Sequence, residues 1–134
     1  MGRDLKIEFR WAEGQFDRLS ALAADLTSRQ VALIATATLL AATAAKAASP
    51  TTPVVFVVGE DPVKAGLVAS LSRPGGNATG VSDFVNQIVA KRLDILLQAV
   101  PGIGFVGLLV NPNNPNAAPD TEASASSPSS ASAR

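Results

Sequence analysis

Two short stretches of this chain carry side chains suited to holding a small polar ligand. Thr36-Ala37-Thr38 sets two hydroxyls just before an Ala-rich helical run. Together with the N–H groups that open a helix, those hydroxyls could hold a carboxylate or another polar group. Gly59-Glu60-Asp61-Pro62 supplies a glycine that permits close backbone approach and an acid that could face a ligand amine. Both stretches also have a plainer role. Thr36 and Thr38 are both possible N-caps, and Asp61 stands as an N-cap with Pro62 in the first helical position, where its missing N–H costs nothing. Caps are many and ligand sites few, so capping alone is the commoner role of such residues. Glu60 and Asp61 are adjacent and point apart on a turn, so they do not form an acid–base pair.

Composition narrows the chemistry further. The 134 residues suffice for one ordinary domain and not for two. No histidine is present, which removes the commonest general base near neutral pH and every triad that depends on it. No cysteine is present, so disulfides and thiolate metal sites are excluded, and no metal or cofactor is expected. Eleven basic and eleven acidic residues balance to zero, and a single Trp with no Tyr leaves little for base stacking. Nucleic acid is therefore not an expected partner. The glycine-rich run Arg73-Pro74-Gly75-Gly76-Asn77-Ala78-Thr79-Gly80 lacks the Gly-Lys-Ser/Thr ending of a phosphate loop and follows no strong strand, so it reads as a structural loop.

The elements that must position these residues alternate between strand and helix patterns. Lys6 to Trp11 alternates charged and apolar residues, as in a half-buried strand near a sheet edge. Phe16 to Arg29 carries Leu19, Leu22, Ala23 and Leu26 at helical spacing. Val31 to Ala35 is a continuous apolar run, the pattern of a strand covered on both faces. A helix is expected from the Thr36/Thr38 cap to about Ala48, stopped by Pro50 and Pro53. Val54 to Val58 is the clearest strand. A short helix is expected from Pro62 to about Leu71, one or two strand residues at Val81, a long helix from Ser82 or Asp83 to about Val100, and a strand from Phe105 to Val110. From about Ala117 the Ser, Ala and Pro composition predicts disorder. The repeating order predicts an α/β fold: three layers, with a mostly parallel sheet and helices on both faces. Val31 to Ala45 is too short and too rich in Ala and Thr for a membrane span, and its internal position argues against a signal peptide; none is expected at the N-terminus.

Five strings in one order carry a resemblance: Ile7-Glu8-Phe9-Arg10-Trp11-Ala12-Glu13-Gly14-Gln15-Phe16-Asp17-Arg18-Leu19; Pro53-Val54-Val55-Phe56 with Gly59-Glu60-Asp61-Pro62-Val63; the run from Gly66 through Arg73-Pro74-Gly75-Gly76-Asn77 to Ser82; Lys91-Arg92-Leu93-Asp94-Ile95-Leu96-Leu97; and Leu109-Val110-Asn111-Pro112-Asn113-Asn114-Pro115-Asn116. Together they resemble the ABC transporter substrate-binding proteins of the tryptophan/tyrosine type, which have the two-lobed periplasmic-binding fold. The resemblance implies a partial first lobe over residues 1–100, the start of a second lobe over 101–116, and an unrelated Ser/Ala/Pro-rich tail over 117–134. It implies a small-molecule solute and an ABC permease as partners, a periplasmic location and no enzymatic activity. By the same resemblance, Thr36, Ala37, Thr38, Gly59, Glu60, Asp61 and Ser82 would line the first lobe and Asn111 the second. The family's first strand and helix and its usual signal have no counterpart here. Thr38-Leu39-Leu40 stands where the family often has a Gly-rich turn.

Two other readings stay open at this level. A nucleotide-dependent α/β enzyme fragment would need a phosphate-binding glycine fingerprint after a strand or a suitable base, and neither is present. A truncated product with no independent activity differs from the binding protein only in parentage.

Overall fold

The computed structural model describes residues 5–100, 102, 105–112, 121–122 and 124–125. It divides into two compact units, Met1–Asp83 and Phe84–Arg134.

In the first unit a turn of 3₁₀ helix, Phe16–Arg18, leads into α1 (Leu19–Ser28); β1 (Ile34–Thr36), α2 (Leu39–Ala48), β2 (Val54–Val58) and β3 (Ala78–Ser82) follow. The three strands form one parallel sheet in the order β1-β2-β3. Ile34 pairs with Val54 and Thr36 with Phe56; Val54 pairs with Ala78 and Val58 with Ser82. The expected α/β class with a parallel sheet is therefore what the chain adopts. α2 is the crossover between β1 and β2 and lies on both strands, while α1 packs beside α2.

The core is built on one face of the sheet. Ile34, Val54, Phe56, Val58 and Ala78 meet Ala42 and Ala45 of α2 and, from the β2–β3 connection, Leu67 and Val68. Alanines on the inner face of α2 let the helix close on the strands without a gap; both are fully buried. Val55 and Val57 point to the other face of β2 and are exposed. The uncharged run Val54–Val58 thus behaves as an alternating strand: among the described residues only the face of Val54, Phe56 and Val58 is packed, and the expected second helical layer is not seen over Val55 and Val57.

Several expected elements take a different form, each for a local reason. Residues 6–11 are not a strand: Ile7, Phe9 and Trp11 are exposed, with the Phe9 and Trp11 rings stacked 6.1 Å apart. Alternation sets two faces, but a strand also needs a neighbour's backbone, and none among the described residues pairs here. Charge holds the segment instead: Arg10 Nε donates to Asp25 Oδ2 at 2.7 Å, and Arg29 Nη1 lies 3.4 Å from Glu8 Oε2. The helix expected after Pro62 is a succession of turns. Ala65 N–H reaches Asp61 O, then Gly66 at φ +72° ends the turn, and Leu67 and Val68 N–H both return to Pro62 O. β3 is five residues long rather than one or two, because its whole length pairs with β2.

The second unit holds a 3₁₀ turn, Val85–Ile88, and α3 (Val89–Ala99). One long helix from Ser82 is prevented by β3, which keeps Ser82 extended, and by Phe84, whose φ of +51° is left-handed. The strand expected over 105–110 is absent among the described residues. The disordered tail expected over 117–134 lies outside the described residues, apart from helical backbone at Thr121, Glu122, Ser124 and Ala125.

Candidate functional site

Parallel strands bring their carboxyl ends to one rim, where connecting loops and helix N-termini converge. The register places Thr36, Val58 and Ser82 at the last positions of β1, β2 and β3. Thr36-Ala37-Thr38 and Gly59-Glu60-Asp61 therefore leave the sheet from the same rim as Ser82. Seven of the eight candidate residues lie on that rim. The eighth, Asn111, belongs to the second unit and is exposed.

Local hydrogen bonding gives each side chain a definite state. Thr38 is the N-cap of α2: its backbone is extended, with φ −146° and ψ 155°, and its Oγ1 accepts from Ala41 N–H at 3.2 Å. The N–H groups of Leu39 and Leu40, in the first helical turn, have no intrahelical acceptor. Asp61 Oδ1 accepts from Val63 N–H at 2.9 Å and Lys64 N–H at 3.2 Å. Its carboxylate thus holds the turn that follows β2. Ser82 Oγ donates to Glu60 O at 2.7 Å, which fixes the Glu60 backbone against the end of β3. Asp83 N–H adds a bond to Val58 O at 3.2 Å. Thr38 thus performs the capping role expected of it, whereas Asp61 bonds within a turn, because the helix it was expected to cap does not form.

Thr36 differs from the rest. Its Oγ1 is buried and has no hydrogen-bond partner among the described residues. A buried hydroxyl without a partner costs on the order of 1–3 kcal/mol, which singles Thr36 out among the rim residues. Two residues later the α2 N-terminus begins, with its positive end of the backbone dipole.

The opposite rim has its own structure. An open groove of about 590 Å³ is lined by Pro50, Pro53, Pro74, Gly75, Gly76 and neighbours at the amino ends of β2 and β3. Its polar centre is already engaged: Asn77 Nδ2 donates to Ser49 O and Thr52 O, both at 2.8 Å, and Val54 N–H donates to Asn77 O. The Arg73-Pro74-Gly75-Gly76-Asn77 run is thus the clasp that starts β3 alongside β2. Sequence reasoning left this role of Asn77 unassigned. An Asn immediately before a strand, following two glycines, was its available signal.

A rim of loops at the carboxyl ends of a parallel sheet, with an unpaired hydroxyl beside a helix N-terminus, defines the class of half-lobe that solute-binding proteins use. Residues 1–127 match the family of ABC transporter substrate binding proteins, and the chain belongs to that family. It is 31% identical over 115 residues to a tyrosine-binding protein of Clostridioides difficile strain R20291, covering 86% of this chain and 33% of that protein. The chain thus spans about a third of the length of this curated relative. Among solved structures, it resembles a conserved domain protein from Vibrio cholerae O1 biovar eltor with a TM-score of 0.75 and 29% identity, covering 93% of this chain and 43% of that one. It also resembles an ABC domain in complex with L-Trp from Streptococcus pneumonia, with a TM-score of 0.61 and 26% identity over 72% of this chain and 32% of that one.

Proposed function

We propose that this chain supplies one jaw of a solute-binding site in an ABC uptake system, for a small amino acid-like solute. The observation that carries the reading is the unpaired Thr36 hydroxyl on the rim where Thr36-Ala37-Thr38, Gly59-Glu60-Asp61 and Ser82 meet. A ligand carboxylate fits the α2 N-terminus, accepting from Thr36 Oγ1 and from the first-turn amides. The Glu60 backbone, pinned by Ser82, faces the rest of the ligand. The names of two relatives support an aromatic amino acid: one is a tyrosine-binding protein and another holds L-Trp. Selectivity would follow from loop hydrogen bonds and closure of a second lobe, with Asn111 on the second side. An ABC permease would be the partner and the periplasm the location. In this reading the protein carries and releases its solute unchanged, without bond-making chemistry.

A solute held from one side loses most of the burial that gives binding proteins their affinity. The chain alone should bind L-tyrosine or L-tryptophan with Kd no tighter than about 1 mM. Calorimetry giving micromolar affinity would overturn the one-jaw reading. Residues 31–83, grafted in place of the matching segment of the tyrosine-binding relative, should retain tyrosine binding. Thr36→Val in that graft should weaken it about tenfold. A graft indifferent to Thr36→Val would remove Thr36 from the site.

A further inference from the structure

The sheet of the first unit ends at β1. Ile34 N–H donates to Pro53 O at 2.9 Å on the β2 side. Alternation along a strand then turns the N–H and C=O of Ala35 the other way, where no strand lies among the described residues. α2 lies on β1 and β2, and α1 packs against α2. Ala23 of α1 is buried and Leu26 packs against the core, while Leu19 and Leu22 on the same face are half-buried. Residues 6–11 are tied to α1 through Arg10 and Asp25 but pair with no strand. The structure therefore contains an open slot beside β1, with a hydrogen-bonding edge and no charge along residues 33–36.

The chain also carries a segment of matching character. Residues 105–110, Phe-Val-Gly-Leu-Leu-Val, bear no charge and no proline. Phe105 and Leu109 fall on one face of an extended backbone, and Val106, Leu108 and Val110 on the other, the pattern of a strand covered on both sides. Yet this segment pairs with no strand among the described residues, and Phe105 and Leu109 are 92% and 100% exposed. We propose that the free edge of β1 accepts residues 105–110 of a second copy of this chain as an added strand. The main-chain bonds of Ala35 supply the attachment. Charged residues and prolines usually guard such edges, and β1 has neither.

Light scattering coupled to size-exclusion chromatography tests the proposal, over about 1–100 µM of the whole chain. The expected result is dimers or larger species that grow with concentration. Ala35→Pro removes the outward N–H without touching the β2 ladder. Leu108→Lys puts a charge into the added strand and leaves the first unit intact. Each should weaken self-association at least tenfold, with unchanged far-ultraviolet circular dichroism showing that the fold persists. A monomer across the whole range overturns the proposal, including the case in which a chain's own residues 105–110 fill its slot. So does association that survives both substitutions but is lost in Val57→Lys, because that places the contact on the exposed sheet face.

Discussion

Gly80 is the position where one added methyl group should do the most damage. A Cβ there would lie 2.0 Å from Phe56 O and 2.6 Å from the Phe56 ring, well inside ordinary contact. The first obstacle is backbone, and the second is one of the largest fully buried side chains in the core. Neither is the free end of a flexible chain, so β3 would have to move from β2 by more than about 1 Å, which breaks ladder bonds along five paired residues. We expect Gly80→Ala to cost about 3 kcal/mol, near the upper end for an overpacked core and a large part of a small domain's stability. Gly76→Ala is the matched control. Gly76 has φ +72° but nothing within 4 Å of its would-be Cβ, so only the left-handed backbone penalty of about 1 kcal/mol applies. In urea titrations followed by circular dichroism, a slope of about 1.5 kcal/mol per M puts the midpoint loss at roughly 2 M for Gly80→Ala and roughly 0.7 M for Gly76→Ala. Equal midpoints for the two variants, or a lower one for Gly76→Ala, would refute the clash at Gly80.

Three further outcomes follow from the same geometry. Thr38→Ala removes the α2 cap and should lower stability by about 1 kcal/mol in the same titration, with Thr38→Ser close to the parent. Asn77→Ala deletes two bonds to Ser49 O and Thr52 O and should cost about 2 kcal/mol, with earlier amide exchange at the amino end of β3 than at its carboxyl end. Acid should free residues 6–10 from α1. A hydrogen bond from Lys6, then the charges around it, holds the Glu8 carboxyl below its usual range, and bonding to Arg10 does the same for Asp25. Acids depressed in the folded state contribute stability that is complete above their unfolded values and lost as pH falls through the folded ones. Fluorescence of Trp11, the chain's one tryptophan, should therefore change below about pH 4, and Arg10→Ala should bring the same change to neutral pH.

Much of the site was legible because it rests on local rules. The Thr38 cap and the β-branched run Val54–Val58 are each decided within a few residues and form where the sequence points, and Asp61 bonds the amides after Pro62 although no helix follows. What depends on distant partners was not legible. Residues 6–11 and 105–110 alternate or run apolar as strands do, but strand formation needs an adjacent backbone that their own residues do not supply. Ala78–Ser82 shows the converse: its Thr-Gly centre is a poor strand former by composition, yet β2 draws all five residues into register. The unpaired Thr36 hydroxyl could not be foreseen, since sequence alone offered both Thr36 and Thr38 as caps and the helix selected Thr38. The Ser82 bond to Glu60 O likewise depends on the β2–β3 register rather than on either residue's neighbours.

The claim that the rim at the carboxyl ends of β1, β2 and β3 holds the solute is tested most directly by backbone amide shifts in ¹⁵N-labelled chain titrated with L-tyrosine up to its solubility limit. The account predicts movement concentrated at residues 36–41, 59–61 and 82, with Thr36→Val suppressing it. Movement centred instead on Gly75, Gly76 and Thr51, around the groove at the opposite rim, would contradict it.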